Sequence, residues 1–475
     1  MKKSIFFNRT NKDKIAKFLK TSPEALKKFE ESYSKMMITE QIPENFFSIN
    51  AKQAAEQNKI IEENESDVDE DTLKKVKKIS ERIVNELIAL TPIIVYDGES
   101  LRKFNGSNIS IANDKPVTKE EILELPEFLR PELSGYLMKT QISGQSYIEL
   151  VDSYMRFMKE KNISKKTFWY NHFRQGLDIL DIDPITYKMI DRNRNSMSHW
   201  FPQIVKAAQK QKFFKIPKTT IIKIPESLLQ LTRLDYCDLS ETTIKIVDDY
   251  CMKVFDLDIN KEYFIKTGTY SSKYDFRNAY VHGAKEVKEL GEYLLFIHFQ
   301  ALQMAAMTNN VSIYGVSTTT EWVVRDFIKD KENNPKIYEG LPLHTEYRAF
   351  VDFETKEILG ITPYWDEKVM KDNFSSKENE KDPRKTHDYI IFSAHNEVMM
   401  KRYNKNIEAV KQNLQVLVNN TENLKGQWSI DIMQNEDDFW IIDMALAVNS
   451  ALKNCVPNGK IKKVEEDWLP LLEEE

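Results

Sequence analysis

Hydrophobic and polar residues follow two different spacings along this chain. Up to about residue 197 the apolar residues recur mostly at helical spacing, as they do from Leu73 to Leu90. After Ser198, short apolar runs bounded by proline, glycine and polar turns alternate with helical segments. This change of pattern predicts an α+β fold in the C-terminal half, preceded by a mainly helical N-terminal region.

The same pattern divides the chain into four segments. Residues 1–61 are predicted to be a helical N-terminal segment, and the acidic run at 62–72 is predicted to be a linker. Residues 73–197 are predicted to be a mainly helical domain, to which the sequence assigns no role. Residues 198–475 are predicted to be the α+β domain.

The most informative stretch runs from Trp428 to Ser450 and predicts two apolar strands joined by a polar turn at 435–438. A hairpin that folds about Asp437 places Asp431 directly opposite Asp443, on the same face of the sheet. Two facing carboxylates repel each other in apolar surroundings, and Mg²⁺ held jointly with substrate phosphates would offset that repulsion. The alternative is two acids at a wet end of the sheet, each paired with a surface lysine.

A second stretch predicts a phosphate-binding loop. Residues 262–265 form a short predicted strand that delivers Lys266, and a loop of small hydroxyl residues then leads to Lys273. Lysine ammonium groups neutralise phosphate charge, while backbone N–H groups and hydroxyls donate hydrogen bonds to it. A surface loop with no ligand is the alternative, since lysine is abundant in this chain.

A third stretch, residues 346–353, is predicted to pair with residues 358–361 in a hairpin. Glu346 and Arg348 then share one strand face. They either pair with each other, or Arg348 directs its planar guanidinium at a phosphate oxygen.

Composition narrows the classes of function. The chain has 475 residues, of which 41% are hydrophobic and 30% charged, and its net charge of -6 argues against extensive nucleic-acid binding. Its three cysteines are too few and too scattered for a disulfide framework or a zinc site, which favours a cytoplasmic protein. No apolar segment is long enough to predict a membrane span. With only 13 glycines the chain lacks a glycine-rich nucleotide fingerprint, so a phosphate site must be built differently.

Taken in order, the motifs of the C-terminal half resemble the ATP-grasp superfamily, in particular the cell division cycle protein 123 family and uncharacterised bacterial and phage ATP-grasp proteins. The resemblance runs from about residue 198 to 455. It is carried by HWFPQI at 199–204, PKTTIIKIP at 217–225, FIKTGTYSSK at 264–273, EWVVRDFI at 321–328, EYRAFVD at 346–352, LGITPYW at 359–365, WSIDI at 428–432 and FWIIDM at 439–444. It implies an ATP-grasp fold that holds ATP between two lobes, at about 198–320 and 321–455.

The resemblance also implies roles for individual residues. Lys266 would contact the α- and β-phosphates of ATP, and Arg348 would lie on the transferring phosphate. Lys273, or the loop around it, would close over the γ-phosphate. Further nucleotide contacts are expected from Thr267, Ser271, Ser272, Glu346 and, at the lobe hinge, the backbone of Arg325, Asp326, Phe327 and Ile328.

Mg²⁺ would be held by Asp431 and Asp443. The family usually supplies a further ligand from an asparagine two residues after an acid, but here Met444 and Ala445 follow Asp443. Asn449 is the substitute that the sequence offers.

The function that follows from the resemblance is an ATP- and Mg²⁺-dependent ligase. It would activate a carboxylate as an acylphosphate for attack by an amine or another nucleophile, on a small molecule, a peptide or a protein. The alternative is a nucleotide-binding assembly factor or chaperone with little or no turnover, whose helical N-terminal region docks a protein partner. The predicted cofactors are ATP and Mg²⁺ in both cases.

Overall fold

The computed structural model describes residues 68–109, 115–132, 190–232, 239–307, 318–374 and 382–462, with scattered residues between 152 and 187. The predicted segment 1–61 and most of the predicted linker lie outside these residues. The first described helix, α1, spans Glu70–Ala89, so it includes the end of the predicted linker. Asp69 caps it by accepting a hydrogen bond from the Thr72 N–H at 2.8 Å.

A six-stranded antiparallel sheet, here called sheet A, forms one half of the described fold. Its strand order is β2-β1-β4-β7-β5-β6. The strands are β1 (Pro92–Tyr96), β2 (Leu101–Asn105), β4 (Thr219–Lys223), β5 (Tyr263–Thr267), β6 (Tyr280–Val281) and β7 (Glu321–Asp326). The helices of this half, besides α1, are α2 (Lys119–Leu123), α3 (Met197–Gln209), α4 (Glu226–Leu231), α5 (Glu241–Val254), α6 (Gly283–Lys288) and α7 (Leu290–Met307).

Helices α1, α5 and α7 bury their apolar sides in a core on one face of sheet A. In α5, which Ser240 caps, Ile246, Val247, Tyr250 and Val254 recur at helical spacing and are all buried. The opposite face of the sheet carries Val323, which belongs to a second buried cluster that also includes residues of α3. Lys266 lies directly beside Val323 in the β5–β7 pairing, so this face also carries charge.

A five-stranded sheet, here called sheet B, forms the other half, in the order β11-β10-β12-β13-β3. Its strands are β3 (Phe214–Lys215), β10 (Thr345–Asp352), β11 (Glu357–Pro363), β12 (Gln427–Asn435) and β13 (Asp438–Leu446). The short pair β8 (Lys336–Ile337) and β9 (Leu341–Pro342) and the helices α8 (Glu367–Phe374) and α9 (Pro383–Asn420) complete this half. Apolar residues of α9 and α3 pack against one face of sheet B, which leaves its other face for the polar residues of β10, β12 and β13.

The mixed α and β content agrees with the predicted fold class, and the strands of the quoted motifs form where the sequence predicts them. The predicted boundaries do not separate the two sheets. Strands β1 and β2, placed by the sequence in the N-terminal helical region, form an edge of sheet A. Strand β3 joins sheet B, and β7, assigned to the second lobe, lies inside sheet A. Apolar strands pair where their faces can be buried, whatever their order along the chain.

The β12–β13 hairpin places Asp431 opposite Asp443, as predicted. The hairpin turns at Glu436-Asp437, with Asn435 opposite Asp438, and that register alone would pair Asp431 with Ile442. A register shift between Asp431 and Ile432 adds one residue to β13 and restores the Asp431–Asp443 pair.

Among the helices that the structure describes, none combines the length and apolarity needed to cross a bilayer.

Candidate functional site

Lys266 and Asp443 join the two sheets through an ion pair. Strand β5 delivers Lys266 from sheet A, and its Nζ lies 2.9 and 2.8 Å from the two carboxylate oxygens of Asp443 on β13. The Lys266 side chain is 1% exposed, whereas that of Asp443 is 35% exposed. Burial lowers the pKa of Lys266 despite its partner. Burial also opposes ionisation of Asp443, but the Lys266 and Arg325 charges hold the pKa of Asp443 below its usual value.

Arg348 and Asp431 form a second ion pair, within sheet B. They lie directly opposite each other on β10 and β12. Arg348 donates from Nε and Nη2 to the two oxygens of Asp431, at 2.8 and 2.7 Å. Both side chains are nearly buried. The facing carboxylates predicted from the sequence are therefore present, but each is bound to its own cation, and these cations are buried rather than at a wet surface.

Arg325 makes a further contact between the sheets through its side chain. Its Nη1 donates to the backbone oxygen of Ile442, the residue just before Asp443 at the register shift. Burial lowers the pKa of Arg325 to about 10, although the Asp443 charge opposes the shift. The sequence predicted only a backbone role for Arg325, because nothing local indicates that its side chain crosses to the other sheet.

Lys273 lies against three aromatic rings, two of which follow β11 of sheet B. Its Nζ is 4.1 Å from the ring centroid of Tyr364, 5.6 Å from that of Tyr274 and 6.0 Å from that of Trp365. The guanidinium of Arg348 also lies over the Tyr364 ring, at 4.6 Å. Both distances to Tyr364 are within the range of a cation–π interaction.

Glu346 lies beside these cations and is 8% exposed. Burial raises its pKa to about 7, and the Asp431 charge adds to the shift while Lys273 and Arg348 oppose it. Backbone pairing holds Tyr364 next to it, since the Tyr364 N–H donates to the Glu346 carbonyl at 2.9 Å. The structure therefore brings together Lys266, Lys273, Glu346, Arg348 and the two facing acids, and their roles toward a nucleotide stay a prediction.

The loop between Lys266 and Lys273 is held largely by its own contacts. The Thr267 hydroxyl accepts from the Tyr270 N–H at 2.9 Å and donates to the Tyr270 carbonyl at 3.2 Å, and the Ser272 hydroxyl donates to Gln300 Oε1 at 3.0 Å. A Cβ on Gly268 would lie 2.5 Å from the Glu321 carboxylate, so only glycine fits there. Ser271 is half-buried. Thr267 and Ser272 thus order the loop, and their hydroxyls are not free donors for phosphate.

The hinge after β7 borders a cavity of about 640 Å³. Asp326, Phe327 and Ile328 line it together with Trp440, whose buried Nε1 has no hydrogen-bond partner among the described residues. The Asp326 N–H donates to the Lys218 carbonyl at 3.0 Å and the Phe327 N–H to that of Glu262 at 3.1 Å. These two N–H groups are therefore already used, and the predicted main-chain contacts to adenine would have to come from other groups of the hinge.

The predicted Mg²⁺ ligands fit a cation only in part. Asp431 and Asp443 face each other, and a carboxylate retains acceptor sites beyond those used by one cationic partner. The partial exposure of Asp443 leaves access to it from solvent. The Asn449 amide oxygen, in contrast, accepts from Asn195 Nδ2 at 3.2 Å. Two carboxylates thus fit the ion, and Asn449 is engaged elsewhere.

Within the described residues, one cluster of three ligand atoms could hold a metal, and the sequence did not predict it. It consists of Asp330, Glu332 and His344. The Asn334 amide nitrogen lies 3.0 to 3.2 Å from a ligand atom of each of the three. Arg402 adds a positive charge 3.3 Å from Glu332. An amide and a guanidinium thus satisfy this cluster.

Three aromatic residues at the site have no role in the sequence-based prediction. Tyr364 and Trp365 belong to the LGITPYW motif, which carried the resemblance without an assigned role, and Trp440 was counted only as a buried apolar residue. Strand alternation could have predicted the position of Tyr364. Arg348 pairs with Thr362, and the same register extended by two residues places Tyr364 on the face that carries Glu346.

Comparison with known proteins gives a structural likeness only. No protein-family model and no curated protein matches the chain. The solved structure of C-terminally truncated Cdc123 from Schizosaccharomyces pombe is similar, with 14% identity and a TM-score of 0.32, over 54% of this chain and 86% of that one. Cdc123 from the same organism gives 15% identity and a TM-score of 0.31, over 53% and 83% of the two chains. Likeness at this level is not evidence of a shared activity.

Proposed function

We propose that this protein is an ATP- and Mg²⁺-dependent ligase of the ATP-grasp type. The observation that carries the proposal is the pairing of two facing acids with two buried cations, Lys266 with Asp443 and Arg348 with Asp431. Placing three nearly buried charged groups and the partly exposed Asp443 side by side is costly unless they serve a function or are fully compensated. A polyphosphate with a bound cation also carries negative and positive charges, which would pair with the cationic and acidic side chains of this site.

The side chains supply what phosphoryl transfer requires of a protein, which is positioning and charge. Lys266 is fixed by burial and its ammonium would bind the phosphates as a point charge. Arg348 presents a planar guanidinium that suits two oxygens of the transferring group. Strand rise puts Asp326 about 10 Å along β7 from Val323, the residue beside Lys266, so the hinge lies within reach of the base of the same nucleotide.

Mg²⁺ held by Asp431 and Asp443 would offset phosphate charge when bound. Lys266 would then exchange its contact with Asp443 for one with phosphate, and Arg348 would likewise turn from Asp431. Both acids are thereby freed at the moment when the phosphates arrive.

The reaction has two steps. A carboxylate oxygen of the donor substrate bonds to the γ-phosphorus of ATP, the bond from that phosphorus to the bridging oxygen breaks, and ADP leaves. The amine nitrogen then bonds to the acyl carbon, phosphate leaves with the electron pair of the C–O bond, and the nitrogen loses a proton. Arg348 and Lys266 stabilise charge in the first step, where it develops on the phosphoryl oxygens.

A nucleotide-binding assembly factor with little or no turnover is the second candidate. The observation that favours it is the state of the metal ligands, since Asn449 is bound by Asn195 and both acids already have cationic partners. Such a site would bind nucleotide but would lack the full set of Mg²⁺ ligands that ATP turnover needs.

Calorimetric titration of ATP, with and without Mg²⁺, tests the shared basis of both candidates. We expect Mg²⁺-dependent binding that Asp443→Asn weakens at least about tenfold, through loss of one anionic ligand. Asp438→Asn is the matched control, because Asp438 also lies on β13 but pairs with Lys215 at 2.6 Å and Lys331 at 3.0 Å. Equal affinity in all three proteins would refute the nucleotide site as assigned.

ADP formation then separates the two candidates. A ligase forms ADP only when both donor and acceptor are supplied, and Arg348→Lys should slow this at least tenfold because lysine cannot offer two parallel donors. Tight binding of Mg²⁺-ATP with no ADP formed across carboxylate and amine panels would favour the assembly factor.

A further inference from the structure

The rings around Lys273 form a defined cation site on sheet B. Tyr364 and Trp365 directly follow β11, and Tyr274, which follows β5 of sheet A along the chain, contributes a third and exposed ring. Trp365 is 5% exposed and fixed in a core with Met370 and Phe374, so its ring does not depend on Lys273 for its position. Glu346 adds a buried carboxyl group near Lys273, whose charge lowers the pKa of that carboxyl against the effect of burial.

Lys273 is the group that occupies this site, and its chemistry defines what fits there. Its side chain is a linear four-carbon chain that ends in a primary ammonium. Tyr274 is 59% exposed, so the site opens to solvent on that side. A primary ammonium on a flexible alkyl chain attached to a larger molecule can therefore enter from the open side.

We propose that the Tyr364–Trp365–Glu346 site binds the primary ammonium of the acceptor substrate, a lysine side chain or similar alkylamine, after Lys273 leaves it. The bound ammonium releases one proton to solvent before its nitrogen bonds to the acyl carbon. The proposal rests on the proposed function and on the role that the resemblance implies for Lys273, which is to close over the γ-phosphate of bound ATP. A single site cannot hold two ammonium groups, so nucleotide must bind before the acceptor. The proposal therefore specifies a primary alkylamine as the acceptor and the binding of nucleotide before it.

The central test needs no nucleotide. Lys273→Met removes the resident ammonium and leaves a neutral side chain that is one atom shorter. We expect n-butylammonium to bind this variant in nucleotide-free buffer, and to bind the nucleotide-free wild type at least about tenfold more weakly, as measured by ligand-observed NMR. The neutral isostere n-butanol should bind the variant at least about threefold more weakly than n-butylammonium, because it lacks the cation–π attraction.

Substitutions at the rings identify the site. In the Lys273→Met background, Tyr364→Leu should weaken n-butylammonium binding about three- to thirtyfold, whereas Tyr364→Phe, which keeps the aromatic face, should leave it unchanged. Glu346→Gln in the same background should also weaken it, and serves in place of Tyr364→Leu if that variant does not unfold cooperatively. No binding to Lys273→Met, or equal binding of n-butanol, would overturn the proposal.

The link to catalysis is tested in the wild type with Mg²⁺-ATP present. We expect n-butylammonium binding to appear on addition of Mg²⁺-ATP. If calorimetry shows that ATP binds but n-butylammonium does not, the acceptor assignment is wrong while the proposed nucleotide site stands. If ATP itself does not bind, the proposed function fails, and the nucleotide-free result on Lys273→Met still decides whether the cation site exists.

Discussion

Lys266 and Asp443 form an ion pair whose two members differ sharply in exposure, and this difference predicts unequal effects of substitution. Removing Asp443 leaves a fully buried ammonium without its partner, whereas removing Lys266 leaves a carboxylate that is one-third exposed. Asp443→Ala is therefore expected to lower the free energy of unfolding by about 3 kcal/mol. Lys266→Met, which replaces the buried charge with an apolar chain, is expected to cost about 1 kcal/mol or less.

Urea unfolding of the two variants measures this difference. The exposed pair Lys210–Glu422 is the control, since Glu422→Ala removes one member of a surface pair and should change the free energy of unfolding by less than about 1 kcal/mol. Equal losses for Asp443→Ala and Lys266→Met would contradict the assignment of the desolvation cost to Lys266.

Single residues were predicted from the sequence to different extents. Asp431 and Asp443 were predicted to face each other because strand alternation is a local property, whereas Lys266 and Arg348 were singled out by the resemblance in motif order. Their partners were not, since the Lys266–Asp443 contact joins residues 177 positions apart and depends on how two sheets face each other. The prediction of a Mg²⁺ site from two facing acids did not include the ion pair that each acid forms with a buried cationic side chain.

At the scale of elements, the hairpin of β12 and β13 was located correctly, but one of its features was not foreseen. The turn and the two apolar strands follow from local sequence. The extra residue at Ile442 does not, because neighbouring strand residues of similar character give no sign of a register shift. That residue presents its carbonyl to Arg325, so the irregularity helps to hold the sheets together.

The junction of helices α5 and α7 predicts a dependence of stability on pH. Asp248 on α5 accepts from the Glu292 N–H in the first turn of α7 at 3.0 Å. Burial, with the nearby charges of Glu292 and Glu289, raises the pKa of Asp248 to about 7. The folded state binds the proton of this carboxyl more tightly than the unfolded state does, so protonation stabilises the fold. This stabilisation is complete below the unfolded pKa near 4 and is lost as the pH rises to about 7.

Asp248→Asn keeps an acceptor for the helix end and cannot ionise. We expect its free energy of unfolding to exceed that of the wild type by about 2–4 kcal/mol at pH 8, and by clearly less at pH 5. Urea midpoints at the two pH values provide the measurement, with Asp249→Asn as control because Asp249 is 43% exposed and pairs with Lys245 on the surface. A pH-independent difference for Asp248→Asn would show that Asp248 is ionised in the folded protein throughout this range.

At the scale of the whole molecule, sheet membership is the property that the sequence predicted least well. The strands of the C-terminal half were found individually, yet the predicted boundary at 197/198 divides sheet A, because β1 pairs with β4. Strand pairing over more than a hundred residues leaves no local trace, and β1 is a strand of only five residues within the segment that the sequence predicts to be mainly helical. Periodicity finds elements, but burial of their faces decides which elements pack together.

This packing predicts that a chain of residues 198–475 does not fold on its own. Such a chain lacks β1 and also α1, whose residues Ile79, Ile83, Val84, Leu87 and Ile88 are all buried in the core over sheet A. Five buried apolar side chains contribute on the order of 10 kcal/mol. That is comparable to the whole stability of a typical domain.

Expression of residues 198–475 beside residues 68–475, followed by urea unfolding and calorimetry with Mg²⁺-ATP, tests this expectation. The longer chain retains α1, β1 and the buried hydrogen bond between Thr91 and Tyr250, so we expect it to unfold cooperatively. The shorter chain exposes Ile222 on the open edge of β4 and the apolar side of α5, and we expect it to aggregate. A shorter chain that unfolded cooperatively and bound nucleotide as tightly as the longer one would instead support a domain boundary at 197/198, with α1 and β1 as accessories to a nucleotide-binding unit complete without them.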